Sequence, residues 1–467
     1  YDKYPLQLVG GGGDNGAPRG NQDEIANGIN AKLADEGYTY PRVTCAFPEE
    51  FFEAVEAEYS VLIPEETGTE ENWWNDGWST SALDSGINKE ASETLPVAET
   101  TASLANALLG AEYPYESLDE ALDRILVYDE HTWGNAGWSG GSNTASGKLQ
   151  SSWKRSNAYG ADALANQVLD DSLESLASQA GSEGKAIYVY NQLNWSRSDV
   201  VTVDDLTGFP EHFVIMDGEA SIPYAVEDGV LTFIAPDVPA MGYKTFTVET
   251  VDSEPSFTAQ VTTGENFIEN AYYKVLFNAD GTISSILDKQ NGGRELVDQD
   301  TSDAAGEKFN QYRYYQTSGE VLHTPEETGG QLEITSDGIS ATARLDTSAF
   351  RASSIVQTVT LYNDIPRIDI TNEVVKEPHD SYGEREEAYY TFPFNVEEGD
   401  YTIHYDLPVG NTTEGAQITG TSHAWYTVNK WVSVQNGVYN MVLATPKHST
   451  APFGERRTGE DTQWDFE

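Results

Sequence analysis

The chain has 467 residues, too many for one hydrophobic core, so two to four domains are expected. Its 38% hydrophobic content, with 10 Trp and 26 Tyr, supplies enough apolar surface to exclude wholesale disorder. The 77 Asp+Glu against 26 Lys+Arg give a net charge of -51, spread along the chain, which excludes nucleic acid as a partner and points to a salt-adapted, halophile-like surface.

Cys45 is the one cysteine in the sequence, so neither an intrachain disulfide nor a thiolate zinc cluster can form. No apolar run approaches the roughly 18 residues that would cross a membrane, and no membrane partner is expected. The chain opens on Tyr1 and closes on Gln463-Trp464-Asp465-Phe466-Glu467 without a tapering tail, so both ends read as cut.

Residues 1–75 hold three short apolar runs, Leu6-Gln7-Leu8-Val9, Val43–Phe47 and Val61-Leu62-Ile63. A helix is expected between the first two, over about Gln22–Asp35, making an α/β unit with Cys45 buried in a core strand. From about 76 to 180 the period becomes helical. Leu95, Ala98, Ala102, Ala105 and Leu109 mark one helix, with a kink or restart at Pro96. Ser117-Leu118-Asp119-Glu120 has the form of a capping box, opening a second helix with Leu118, Leu122, Ile125 and Leu126 on one face. Leu164, Val168, Leu169, Leu173 and Leu176 mark a third. After Gly181 the pattern is β, with turn signals such as Asp280-Gly281 and Asn291-Gly292, and it reads as two β-sandwich domains, 181–255 and 256–467.

Three segments concentrate chemistry. Asp129-Glu130-His131-Thr132-Trp133 follows an amphipathic helix and joins two carboxylates, an imidazole and an indole, a composition suited either to a sugar pocket or to an ordinary acidic surface. Trp73-Trp74-Asn75-Asp76-Gly77-Trp78 reads equally as a packing anchor or a carbohydrate platform. Gly10–Gly13 followed by Asp14 lacks the spacing of a nucleotide loop, but a carboxylate after a strand is where α/β enzymes place catalytic groups. The seven histidines form no H-E-x-x-H pattern and no close His-x-His pair.

Taken together these segments resemble glycoside hydrolase family 38 α-mannosidases. Glu130-His131-Thr132-Trp133-Gly134 resembles the E-H-T-W-G motif, and Trp73–Ser81 with Asn88, Ala98 and Glu99 resembles the opening of the family's helical middle domain. Gly13-Asp14-Asn15-Gly16 resembles its G-D-N-G loop, and Val189–Arg197, Val238–Tyr243, Asn270–Val275, Gly281–Lys289 and Tyr390–Phe394 resemble its β motifs in order. The resemblance implies a multidomain α + β protein: a remnant of an α/β catalytic barrel (1–75), a three-helix middle domain (76–180), and small (181–255) and large (256–467) antiparallel β-sandwich domains, the last truncated. It implies a zinc-dependent retaining enzyme releasing terminal α-linked mannose from oligosaccharides. His131 would be a zinc ligand, Asp14 the acid/base carboxylate, and Trp74 and Asp129 substrate-binding residues. The other zinc ligands and the nucleophile would lie upstream, since no H-x-D motif precedes Asp14, leaving this chain incomplete and inactive alone. Family members are often oligomers, so a homo-oligomer is compatible. The competing readings are a non-catalytic carbohydrate-binding or scaffold protein of the same architecture, and another glycosidase with a similar sandwich. Location stays open, with the cytoplasm slightly favoured over secretion.

Overall fold

The computed structural model describes residues 6–8, 20–63, 65, 67–69, 81–130, 144–181, 184–299, 306–316, 321–325, 329–377, 386–396, 401–407, 410–418, 426–447 and 450–451. The chain divides into two compact units, 1–70 with 416–419, and 71–415 with 420–467.

The first unit holds two α-helices, α1 (Gln22–Asp35) and α2 (Pro48–Tyr59), and a 3-10 turn Ser60–Leu62. Helix α1 lies where the sequence placed it. Among the described residues none of the three expected strands is formed: 6–8 and 43–47 are irregular, and Val61-Leu62 lie in the 3-10 turn. The reason is the lack of partners, because a lone strand leaves its backbone groups unpaired. Asn30 on α1 takes that role instead, its amide donating to Val43 O (2.7 Å) and accepting from Val43 N (2.8 Å). Pro48 at the first helical position and the Glu50 carboxylate, which accepts from Phe47 N at 2.8 Å, then turn the chain into α2. Cys45 is accordingly exposed, not buried. A parallel bridge joins Thr69 to Gln417, and Gly68 allows it: a Cβ there would sit 2.4 Å from Ala416 O.

The second unit begins with three helices, α3 (Ala82–Leu109), α4 (Tyr115–Tyr128) and α5 (Ala145–Ala180). Small residues let their backbones approach: Ala91, Ala98, Ala102 and Ala105 of α3 and Ala158, Ala161 and Ala165 of α5 are all buried, around Leu118 and Ile125 of α4. Helix α3 runs through Pro96 without a restart and ends at Gly110 in the left-handed conformation, whose N–H reaches Asn106 O at 2.9 Å. The expected capping box is displaced, since α4 starts at Tyr115 with Ser117 already inside it. Its buried face is Leu118, Ala121, Ile125 and Tyr128, while Leu122 (45% exposed) and Leu126 (58%) face outward.

From Ala186 onward the described chain is β. Strands 186–191, 213–217, 220–222 and 242–250 form one antiparallel sheet and 197–203, 224–227 and 230–238 another, closing on Phe213, Ile215, Leu231, Phe233, Phe246 and Val248. A second pair of sheets, 262–295 and 330–376, shares a core of Ile268, Val275, Phe277, Ile283, Ile286, Ala343, Val359 and Leu361. The Asp280-Gly281 turn signal holds: Gly281 has φ +79°, and a Cβ there would meet Leu345 at 2.4 Å. A four-stranded sheet of 402–407, 410–413, 431–435 and 440–444 follows, its inner face made of Ile403, Tyr405, Val432, Val434 and Met441.

Two of the β motifs turn out to be clamps. Asn191 is buried; its Nδ2 donates to Trp195 O, Val238 O and Pro239 O, and its Oδ1 accepts from Leu193 N. Asn270 repeats the device with Tyr362 O, Tyr272 N and Tyr273 N. Next to Asn191, Gln192 donates to Thr101 Oγ1 at 2.6 Å and ties the first sheet to α3.

Candidate functional site

A polar cluster from all three helices holds the C-terminal end of α4 and the Asp129-Glu130 pair that follows it. Lys154 of α5, only 2% exposed, donates to Val127 O (2.8 Å), Glu130 O (2.9 Å) and Glu130 Oε2 (2.8 Å). A cation on the last carbonyls of a helix satisfies groups that have no partner within it and complements its dipole. The same ammonium lies 5.9 Å from the centre of the Tyr128 ring. Tyr128 OH shares a hydrogen bond with Ser85 Oγ (3.0 Å), and Arg155 pairs with the buried Asp84 carboxylate at 2.8 Å.

Asp129 is the one predicted site residue within the described structure. Asn88 Nδ2 donates to its Oδ1 at 2.9 Å. Its Oδ2 has no hydrogen-bond partner among the described residues, and neither does the Asn88 Oδ1, which is buried. Although Asp129 opens to solvent, the helix ends packed round it withdraw water, and this desolvation pushes its carboxyl up to about 6 against the pull of Lys154. The exposed Asp129 thus presents a carboxyl able to accept from a hydroxyl, oriented by the buried Asn88 amide.

Asp14, Trp74 and His131 lie outside the described residues. Among the described residues no group of three or more His, Cys, Asp and Glu side chains could hold a metal ion. Glu130, which precedes His131, is bound to Lys154. The described donors therefore do not fit a zinc centre by themselves. Lys154 and Asp84 are not legible as site residues in the sequence, because a lysine or aspartate in helical sequence reads as solvated surface; only three-dimensional burial sets them apart. Asn88 was legible as part of the middle-domain pattern, but not as the partner of Asp129.

Helix α3 also meets the last β-sheet. Lys89, buried, donates to Thr445 O at 3.2 Å, and desolvation lowers its ammonium to about 8. Lys430 pairs with Glu93 (2.6 Å) and Lys447 with Glu90 (3.0 Å). The cluster at Asp129 thus stands on a helix anchored at two sheets.

Residues 268–448 match the family described as "Glycosyl hydrolases family 38 C-terminal domain". Two solved structures from Enterococcus faecalis share the fold. A protein in glycosyl hydrolase family 38 matches with a TM-score of 0.63 and 14% identity over 90% of this chain. An α-mannosidase from strain V583 matches with a TM-score of 0.65 and 12% identity, also over 90%. The chain spans 56% and 55% of their lengths. No curated protein sequence matches it significantly.

Proposed function

We propose that this chain, which carries the family 38 C-terminal domain and shares the family's fold over 90% of its length, is the middle and C-terminal portion of an α-mannosidase releasing terminal α-linked mannose from oligosaccharides. The observation that carries the reading is that the likeness to the V583 α-mannosidase continues beyond the matched C-terminal domain, over 90% of the chain.

In this reading the helical block supports one side of the sugar site. Asp129, oriented by Asn88, accepts a hydrogen bond from a mannose hydroxyl, and Lys154 fixes the backbone at Val127 and Glu130. Retention needs two carboxylates about 5–5.5 Å apart, one attacking the anomeric carbon while the other protonates the leaving oxygen and then activates water. Asp14 is proposed as the acid/base and Trp74 as an aromatic wall of the pocket. His131 is proposed as one zinc ligand, the remaining ligands and the nucleophile coming from outside these 467 residues. Zinc would supply a cation for the sugar hydroxyls.

The test is hydrolysis of chromogenic α-mannoside, β-mannoside and α-glucoside in molar salt with zinc. Both the longest polypeptide encoded in frame with these residues and the 467-residue chain are assayed. Selective α-mannoside turnover by the former and none by the folded latter is expected. Sugar binding without turnover by the former favours the carbohydrate-binding alternative. Zinc-dependent turnover by the 467 residues, abolished by His131→Ala, rules out an external nucleophile.

A further inference from the structure

We infer that the outer face of the sheet 402–407/410–413/431–435/440–444 is a second, non-catalytic binding site for a neutral saccharide. A cavity of about 300 Å³ opens on that face, lined by His404, Trp431, Ser433, Gln435, Asn440 and Val442. The register explains the convergence: His404 pairs with Ser433 and Ser433 with Val442, while Gln435 pairs with Asn440 and Trp431 with Ala444. Alternation sends their neighbours Ile403, Tyr405, Val432, Val434 and Met441 into the core, which packs the floor from beneath. The Asp406 carboxylate accepts from Lys430 N (2.6 Å) and Trp431 N (2.9 Å), fixing the strand where the indole stands.

The chemistry of the lining selects the ligand. The side chains of His404, Trp431, Ser433, Gln435 and Asn440 make no hydrogen bond among the described residues, and Ser433 is only 3% exposed. Unused donors and acceptors around an aromatic face are what a pyranose needs, with its apolar ring face and its rim of hydroxyls. Among the described residues no Asp, Glu, Lys or Arg lines the cavity, in a chain with 22% charged residues, which favours an uncharged ligand. Such a site would hold an oligosaccharide near the protein without touching the reacting bond. It rests on the proposed reaction only for the choice of mannose as the first probe.

The experiment measures mannotriose and maltotriose binding to the 467-residue chain by calorimetry and saturation-transfer NMR in molar salt. Trp431→Ala, Gln435→Ala and Asn440→Ala are compared with Leu122→Ala, at an exposed position of α4. Millimolar mannotriose binding, weakened about tenfold by Trp431→Ala and less by the two amide substitutions, is expected. Leu122→Ala should leave it unchanged. Should Trp431→Ala fail to fold by circular dichroism, the two rim variants decide alone. Absence of binding by both sugars, or binding indifferent to every cavity substitution, overturns the site while leaving the mannosidase assay untouched. Cavity-dependent binding of maltotriose alone supports the site and counts separately against mannose as the substrate class.

Discussion

At Asp129 the raised carboxyl has a consequence of definite sign. An ordinary aspartate titrates near 4, whereas this one is held at about 6 by desolvation. Between those values the folded chain keeps a proton that the unfolded chain releases. The contribution to stability is therefore full below about pH 4 and is lost as the pH rises through 6. A carboxyl-detected NMR titration should place its midpoint near 6, and Lys154→Met should move it higher, since Lys154 is the charge pulling it down. The same substitution strands Val127 O and Glu130 O and should cost roughly 2–3 kcal/mol in chemical denaturation. A midpoint that fell, or stayed put, would mean that the ammonium is not the opposing charge. The Asn191 clamp gives a second, purely structural prediction. Asn191→Ala removes four hydrogen bonds from a buried site and should destabilise by about 2–3 kcal/mol, read from the denaturation midpoint, without altering sugar binding.

Among the elements, the helical block is held by small residues more than by large ones. Ala161 is fully buried beside Ala91 and Ile125, so Ala161→Leu must push helices apart and should cost about 1–3 kcal/mol. Leu122→Ala on α4, 45% exposed, should change stability by under about 0.5 kcal/mol. Equal effects in denaturant would show that the packing face has been misplaced. The contrast marks what was legible. Helix α1, the run of α3 through Ala98, Ala102 and Ala105, and the turn at Gly281 were readable because period and backbone constraint are local signals. The face of α4 was misjudged by treating Leu122 and Leu126 as core, since the alanine at 121 and the tyrosine at 128 complete the buried stripe instead. The strands near Val43 and Val61 were misjudged because a strand depends on a partner elsewhere, which apolar composition cannot supply. At the candidate site, Asp129 stands out in the sequence beside Glu130 and His131, but its hydrogen bond from Asn88 does not. Nor does Lys154, for its burial follows from how α5 crosses the end of α4.

Across the whole molecule, charge dominates. Complete pairing of 26 cations with 77 acids would still leave 51 carboxylates uncompensated. Many cations are already committed, as in Lys154–Glu130, Arg155–Asp84 and Lys244–Asp217. The surplus falls on faces such as Asp119 and Asp123 of α4 and Asp170, Asp171 and Glu174 of α5, all exposed. Repulsion among them acts over about 10 Å at 0.1 M salt and about 3 Å at 1 M, so the folded state should gain stability as salt rises. Thermal unfolding in potassium chloride should give a Tm that climbs steeply up to about 1 M and then flattens. Exchanging those five acids for Asn or Gln should raise Tm in dilute buffer and reduce its dependence on salt. General exclusion of salt from protein surface would strengthen burial in both proteins alike, giving parallel slopes. A shallower slope in the five-residue variant therefore assigns the effect to charge, and parallel slopes assign it to burial.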